Sequence, residues 1–319
     1  MLRFSQPAHR NGSPSLPAML TSESDLVALM NSHIEKLISL ALQEDICMGD
    51  ITTEAIISTS AKGRAEIRAK EDLIISGLIV AHKVFKTVDP KMKWTTVCKE
   101  GDHLKAKGVI AHIEGSLASI LTAERTALNF LQHLSGIATF TKRFVDLAQG
   151  NVKILDTRKT IPGLRELQKA AVKAGGGTNH RMGLYDLYMI KNNHITADGG
   201  IKEAIAKIKK HVGASGRSPL RIEVETRTLD EVHIAAEAHV DIIMLDNMSP
   251  DMIREAVAIT KKYSPRSLLE ASGNMTLETL PNYLSTGIDF ISVGSLTHSA
   301  PAVDIHLVIR PLSKQMRYG

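Results

Sequence analysis

Between residues 152 and 293 the chain repeats one rhythm six times, a short β-type apolar run and then a helical or glycine-rich connection. The runs fall at 152–155, 187–190, 220–224, 242–245, 267–269 and 290–293, with helical patterning at 201–211, 230–238, 250–262 and 277–284. Strands alternating with helices build parallel βαβ units. Six of them in one stretch suit an incomplete (β/α) barrel of TIM type better than a two-sheet sandwich. A doubly wound open sheet has the same linear pattern, because strand order is invisible in sequence.

The residues at the end of each run narrow the function. The six runs lead into Asp156-Thr157-Arg158-Lys159, Lys191-Asn192-Asn193-His194, Glu225, Asp246-Asn247, Glu270-Ala271-Ser272-Gly273 and Gly294-Ser295. In a barrel the carboxyl ends of the strands converge on one rim, and that rim carries the active site. Wet loop ends explain one or two polar residues, not this series. Between the first two runs lies Gly175-Gly176-Gly177-Thr178-Asn179-His180-Arg181. Glycines let backbone N–H groups approach an anion, and Arg181 adds a planar fork for carboxylate or phosphate. The loops Ser272-Gly273-Asn274 and Gly294-Ser295-Leu296 stand where barrel enzymes often hold a phosphate. Either alone is as easily a tight turn.

The rim would then gather Arg158, Lys159, His180, Arg181 and Lys191 against Glu225 and Asp246. So many like charges repel unless an anion fills the cleft, so a polyanionic ligand is expected. The two carboxylates would face a cation, either Mg2+ that also binds substrate phosphates or a carbocation-like ribose. No His/Cys spacing suggests zinc.

Upstream, a helix is expected from Asn31 with Ser32 as a possible cap, then strands at 64–69, 92–97 and 109–113 and a helix at 78–88. This makes a small α+β domain up to about residue 115. Residues 116–149 are almost wholly helical, with a break expected near Ser135-Gly136. The first 20 or so residues are rich in Ser, Pro, Asn and Gly, and no acidic residue precedes Glu23. We read them as a disordered extension, since Pro7, Pro14 and Pro17 spoil the amphipathic helix of a transit peptide.

The net charge of +5 comes with only 4% aromatics and no concentrated basic stretch, which argues against nucleic acid. The longest apolar runs, such as 73–81, are too short to span a bilayer. Cys47 and Cys98 form neither a CxxC motif nor a disulfide framework, so a reducing compartment, the cytoplasm, is expected.

The segments Glu124-Arg125-Thr126-Ala127-Leu128-Asn129, Asp156-Thr157-Arg158-Lys159-Thr160, Pro162-Gly163-Leu164-Arg165, Gly175 through Gly183, Ile190-Lys191-Asn192-Asn193-His194 and Gly294 through Ser299 resemble quinolinate phosphoribosyltransferases. The same family is called nicotinate-nucleotide pyrophosphorylase (carboxylating), and the likeness covers nearly everything after about residue 30. It implies an N-terminal open-faced sandwich at 31–127, joined again by 297–319, and an incomplete barrel at 128–296, with 1–30 as the extension. It implies the conversion of quinolinate and phosphoribosyl pyrophosphate (PRPP) to nicotinate mononucleotide, pyrophosphate and CO2 in NAD biosynthesis. A homodimer with sites shared between subunits is also implied.

By the same likeness Arg158, His180, Arg181 and Lys191 hold quinolinate, with Arg125 supplied by the partner subunit. Lys159, Glu225 and Asp246 contact PRPP, with Mg2+ or ribose at the two carboxylates, Thr157 is a further substrate-binding residue, and Ser272, Gly273, Asn274 and Gly294 form phosphate loops. Lys159, Lys191, Glu225 and Asp246 make up the catalytic set, and His298 supports the rim. Two departures bear on PRPP affinity: Ile161 stands where the family usually has a second Thr, and Asn274 where it has a second Gly. Molybdenum-transport-associated relatives share the barrel, and nicotinate phosphoribosyltransferases share the chemistry. The full cationic set, Arg125 included, favours a dicarboxylate over nicotinate. Intact Lys159, Glu225 and Asp246 argue against a catalytically silent binding protein.

Overall fold

The computed structural model describes residues 23–214 and 220–311. The chain opens with α1 (Glu23–Ile46) and α2 (Ile51–Ile56), then β1 (Lys62–Ala69), β2 (Leu73–Ile74) and α3 (Leu78–Val88). Next come β3 (Lys93–Thr96), β4 (His103–Leu104), β5 (Val109–Ser116) and α4 (Leu117–Ala148). In β1 the expected alternation holds: Ala65, Ile67 and Ala69 are buried while Arg64, Glu66 and Arg68 point away from the core. The buried face joins a core shared with α4 and with α3, whose Leu78, Val80, Ala81, Val84 and Phe85 are also buried.

Two local expectations fail here. The first helix runs back to Glu23, so Ser32 lies inside it and does not cap it, and residues 23–30 are helix. The rest of the expected extension lies outside the described residues. The expected break at Ser135-Gly136 is absent, for α4 is continuous. Ser135 Oγ accepts from the Ser76 N–H and donates to the Ser76 carbonyl, both at 3.0 Å. A Cβ on Gly136 would stand 2.1 Å from the Pro301 carbonyl oxygen. The Ser-Gly pair thus serves close packing on both sides of an unbroken helix. The expected domain boundary at 127/128 also falls within this helix.

The second half alternates β6 (Lys153–Leu155), α5 (Arg165–Ala174), β7 (Tyr188–Ile190), α6 (Asn192–Asp198), α7 (Ile201–Ala214), β8 (Ile222–Thr226), α8 (Leu229–Glu237), β9 (Ile242–Asp246), α9 (Pro250–Tyr263), β10 (Leu268–Ser272), β11 (Phe290–Ser292) and α10 (Ser295–His298). The strands pair in parallel in the order β6-β11-β10-β9-β8-β7. That order follows the chain around an arc, with no reversal of direction. A doubly wound sheet is therefore excluded, and the incomplete barrel is observed. The gap lies between β6 and β7, where a single bridge from Leu155 to Thr178 starts to fill it. The helix expected at 277–284 is only a 3₁₀ turn at Leu280–Asn282, which contains Pro281.

The chain then returns: β12 (Ile305–Pro311) pairs antiparallel with β1, completing the first sheet in the order β12-β1-β5-β3. Among the described residues no helix is long and apolar enough to cross a membrane.

Candidate active site

Every strand of the arc ends at the same rim, so neighbouring ends meet in strand order. At the end of β6, Lys159 meets the end of β11: a Cβ on Gly294 would stand 3.0 Å from Lys159 Cδ, and Thr297 Oγ1 donates to the Lys159 carbonyl at 2.8 Å. The Lys159 N–H donates to Thr157 Oγ1 at 3.0 Å. The ends of β10 and β9 interlock. The Asn247 N–H donates to the Ser272 carbonyl at 2.8 Å. A Cβ on Gly273, which has φ +107°, would lie 2.1 Å from Asn247 Oδ1. Only glycine satisfies both the left-handed backbone and that approach. Asn274 comes next at φ +47°, a left-handed conformation that Asn tolerates better than most residues.

Across the rim, β7 delivers exposed Lys191 beside β8, where the Asn192 N–H donates to Glu225 Oε2 at 3.1 Å. Asp246 ends β9; its Oδ1 accepts from Asn247 Nδ2 at 2.9 Å, and Arg227 Nε stands 3.6 Å from its Oδ2. Nothing in the sequence pattern points to Arg227 at the rim. Glu225 and Asp246 each keep a carboxylate oxygen without a short hydrogen bond, the hard-oxygen donor set that Mg2+ prefers.

The glycine-rich loop is clamped from below. Asp156 is fully buried, and Lys169 of α5, 1% exposed, forms an ion pair with it. Asp156 also accepts from the His180 N–H at 2.9 Å and from Asn179 Nδ2 at 2.6 Å, while Lys169 Nζ reaches the His180 carbonyl at 3.1 Å. Arg165 donates to the Met182 carbonyl at 3.1 Å. Close packing fixes the glycines themselves: a Cβ on Gly175 would meet the Ala138 carbonyl oxygen at 2.3 Å. This scaffold positions Arg181, whose guanidinium donates to the Leu187 carbonyl at 3.3 Å and whose proton affinity is lowered by burial and then by the nearby Arg158 charge. Arg158 Nε is buried without a partner. Two guanidiniums beside each other, one with an orphaned donor, make a place for carboxylates.

His180 sits differently from its neighbours. Its side chain is 8% exposed, and Nδ1 accepts from the Arg181 N–H at 2.7 Å. Its Nε2 lies 3.1 Å from Glu223 and 3.2 Å from Glu270, between the two and well aligned with neither. Burial opposes a proton on this ring, but the two carboxylates outweigh it and draw one to the Nε2 side, while the Arg181 N–H aimed at Nδ1 keeps that nitrogen an unprotonated acceptor. Burial, followed by the Glu270 charge, pushes the Glu223 pKa upward. Such a proton belongs to the trio rather than to one atom, and an acceptor at Nδ1 leaves it on the carboxylate side. Both ring nitrogens are thus engaged, so His180 presents neither to the mouth.

Glu223 escapes the sequence reading, and Glu270, placed there at the end of the fifth run, is given no role. Period-two alternation in Ile-Glu-Val-Glu-Thr puts Glu223 on the same face as Glu225, one layer deeper, which is the available signal. The trio is also a cluster with metal-donor spacing, which no sequence spacing reveals.

Arg125 is the one expected residue that the rim lacks. It lies exposed on α4 in a cleft of about 260 Å³ lined by Asp45, Ile46, Gly49, Asp50, Ile51, Leu121 and Thr122, none of them from the barrel. His298 packs beside Gly294, and its Nδ1 meets Ser299 Oγ at 2.6 Å.

Comparison with known proteins gives a consistent answer. The family model for the quinolinate phosphoribosyl transferase N-terminal domain matches residues 50–135, and that for the C-terminal domain matches 137–308. A probable nicotinate-nucleotide pyrophosphorylase (carboxylating) of Bacillus subtilis is 43% identical over 277 residues, covering 86% of this chain and 93% of that protein. Quinolinate phosphoribosyltransferase (decarboxylating) 1b of Nicotiana tabacum is 42% identical, covering 86% and 82%. The crystal structure of NadC from Streptococcus pyogenes superposes with a TM-score of 0.83 at 39% identity, over 88% of this chain and 98% of that one.

Proposed function

This chain belongs to the quinolinate phosphoribosyltransferase family and is an enzyme of that reaction, converting quinolinate and PRPP to nicotinate mononucleotide, pyrophosphate and CO2 in NAD biosynthesis; from that premise we propose how the rim residues divide the work. The observation that carries the division is the pairing of Arg158 and Arg181 on one side of the mouth with Glu225 and Asp246 on the other. The guanidiniums and Lys191 hold the two quinolinate carboxylates. This aims the pyridine nitrogen at C1 of the ribose. Lys159, Thr157 and the backbone at Ser272, Gly273, Asn274 and Gly294 take the phosphates.

As the C1–O bond to pyrophosphate breaks, its electron pair leaves with pyrophosphate, and Glu225 and Asp246 stabilise the positive charge on the ribose. The nitrogen lone pair then forms the N–C1 bond. The C2 carboxylate departs as CO2, its bonding pair stays on C2 beside the cationic nitrogen, and a proton from water completes the product. Mg2+ at Glu225 and Asp246 would neutralise charge on the departing pyrophosphate.

Arg125 completes the quinolinate pocket from a partner subunit in a homodimer. Supporting this are its exposure, a cleft lined by α1, α2, the turn between them and α4 rather than by barrel strands, and the exposed Ile51 in that lining. A cytoplasmic location fits two free cysteines. Purified protein given PRPP, Mg2+ and carboxyl-labelled quinolinate should release labelled CO2, and nicotinate should not substitute. Turnover with nicotinate but not quinolinate would defeat the assignment.

A further inference from the structure

The division of work among the rim residues makes no use of one fully buried polar cluster inside the barrel. Glu223 of β8 and Glu270 of β10 are fully buried, no well-aligned hydrogen bond reaches any of their four carboxylate oxygens, and both face His180 Nε2. Carboxylates left this way cost stability unless they do something for a neighbour. Nε2 lies between two carboxylates while Nδ1 faces a backbone donor, so the ring proton is best placed on Nε2, where acceptors surround it. With its proton on Nε2, the neutral ring has a lone pair at Nδ1. That lone pair takes the Arg181 N–H at 2.7 Å. The other tautomer would set N–H against N–H at Nδ1 and a lone pair against two anions at Nε2.

We propose that Glu223 and Glu270 are positioning residues of the quinolinate site, which fix the His180 tautomer and through it the backbone, and so the guanidinium, of Arg181. This rests on Arg181 holding a quinolinate carboxylate. The chain of contacts runs from the barrel floor to the mouth: carboxylates to Nε2–H, Nδ1 to the Arg181 amide, and the Arg181 side chain to the substrate. Asp156 and Lys169 hold the His180 backbone from the other side, and the Arg181 guanidinium itself donates to the Leu187 carbonyl at 3.3 Å.

Glutamine keeps the shape of glutamate but can donate, so Glu223→Gln with Glu270→Gln releases the tautomer without emptying the core. In the double variant the quinolinate KM should rise about tenfold, the worth of ordering one charged contact, while the PRPP KM stays within about twofold. Each single variant should show a smaller rise, since one carboxylate still faces Nε2. In wild-type enzyme labelled with 15N-histidine, the His180 signal, assigned by its loss in His180→Gln, should report Nε2 protonated and Nδ1 unprotonated.

An unchanged quinolinate KM, or equal rises in both KM values, would overturn the proposal. So would an Nδ1-protonated ring in the wild type, a reading that stands even if the double variant does not fold. A stoichiometric metal ion in the purified enzyme would overturn it too, because the cluster would then be a metal site. The ring measurement needs no turnover, so failure of this chain of contacts and failure of the assigned reaction are told apart.

Discussion

Replacing Lys169 by methionine tests how the site loop is held. Lys169 is 1% exposed and Asp156 fully buried, and burial is the largest influence on both, pushing each toward its neutral form. Taking one partner away from a buried ion pair costs about 3–5 kcal/mol, because the other charge is left uncompensated. Asp156 keeps two donors after the change, Asn179 Nδ2 and the His180 N–H, which favours the lower end. At about 2–4 °C per kcal/mol for sizeable domains, a loss near 3 kcal/mol lowers Tm by roughly 6–12 °C. Thermal melting followed by circular dichroism reads this directly. The double variant Asp156→Asn with Lys169→Met removes both charges and should melt above the single variant, since no buried ion remains unpaired. A Lys169→Met protein melting within about 2 °C of wild type would refute the reasoning. A double variant melting below the single one would show that the two groups are not energetically coupled.

Four further outcomes are expected. Alanine usually gains up to about 1 kcal/mol over glycine inside a helix. Gly213→Ala, with nothing within 4 Å, should therefore raise Tm, whereas Gly136→Ala should lower it by colliding with Pro301. Gly273→Ala should raise the PRPP KM about tenfold or more, well beyond its effect on quinolinate, because it strains the backbone and displaces Asn247; steady-state kinetics in each substrate decide this. Inactive Arg125→Ala and Lys191→Ala enzymes, mixed and re-assembled, should recover up to about a quarter of wild-type activity if each site draws on two chains; no recovery in verified mixed dimers counts against sharing. At pH 8 a thiol reagent should label exposed Cys47 but not Cys98, whose pKa burial, aided by Asp102 and Glu100, pushes up to about 11. Since the folded value lies above the ordinary thiol value of 9.0, the Cys98 contribution to stability is complete below that pH and is lost as pH climbs through 11.

The barrel is legible in the sequence because its signal is redundant. Apolar runs, helical spacers and charged strand ends all repeat, and a slip in one repeat leaves the others standing. Lys159, Lys191, Glu225 and Asp246 are legible for the same reason, as they sit where strands stop. Glu223 and Glu270 are harder, for an acidic residue inside a strand signals a site only once the inner face is known. Lys169 in α5 reads as one more solvated lysine until Asp156 is found opposite it. Ser135-Gly136 shows the converse: a local helix-breaking signal is answered by Pro301, far away in sequence. Interior positions and distant partners escape a reading that sees only neighbours along the chain.

The pairing of β1 with both β5 and β12 has a consequence for synthesis. One flank of β1 stays bare while the whole barrel is translated, since its second neighbour, Ile305–Pro311, emerges only after α10. Folding of the first domain cannot finish vectorially ahead of the second, and an open β edge of this kind invites mispairing between nascent chains. Closure of the N-terminal sheet is thus a late event on the ribosome, timed by a strand that belongs in sequence to the other end of the molecule.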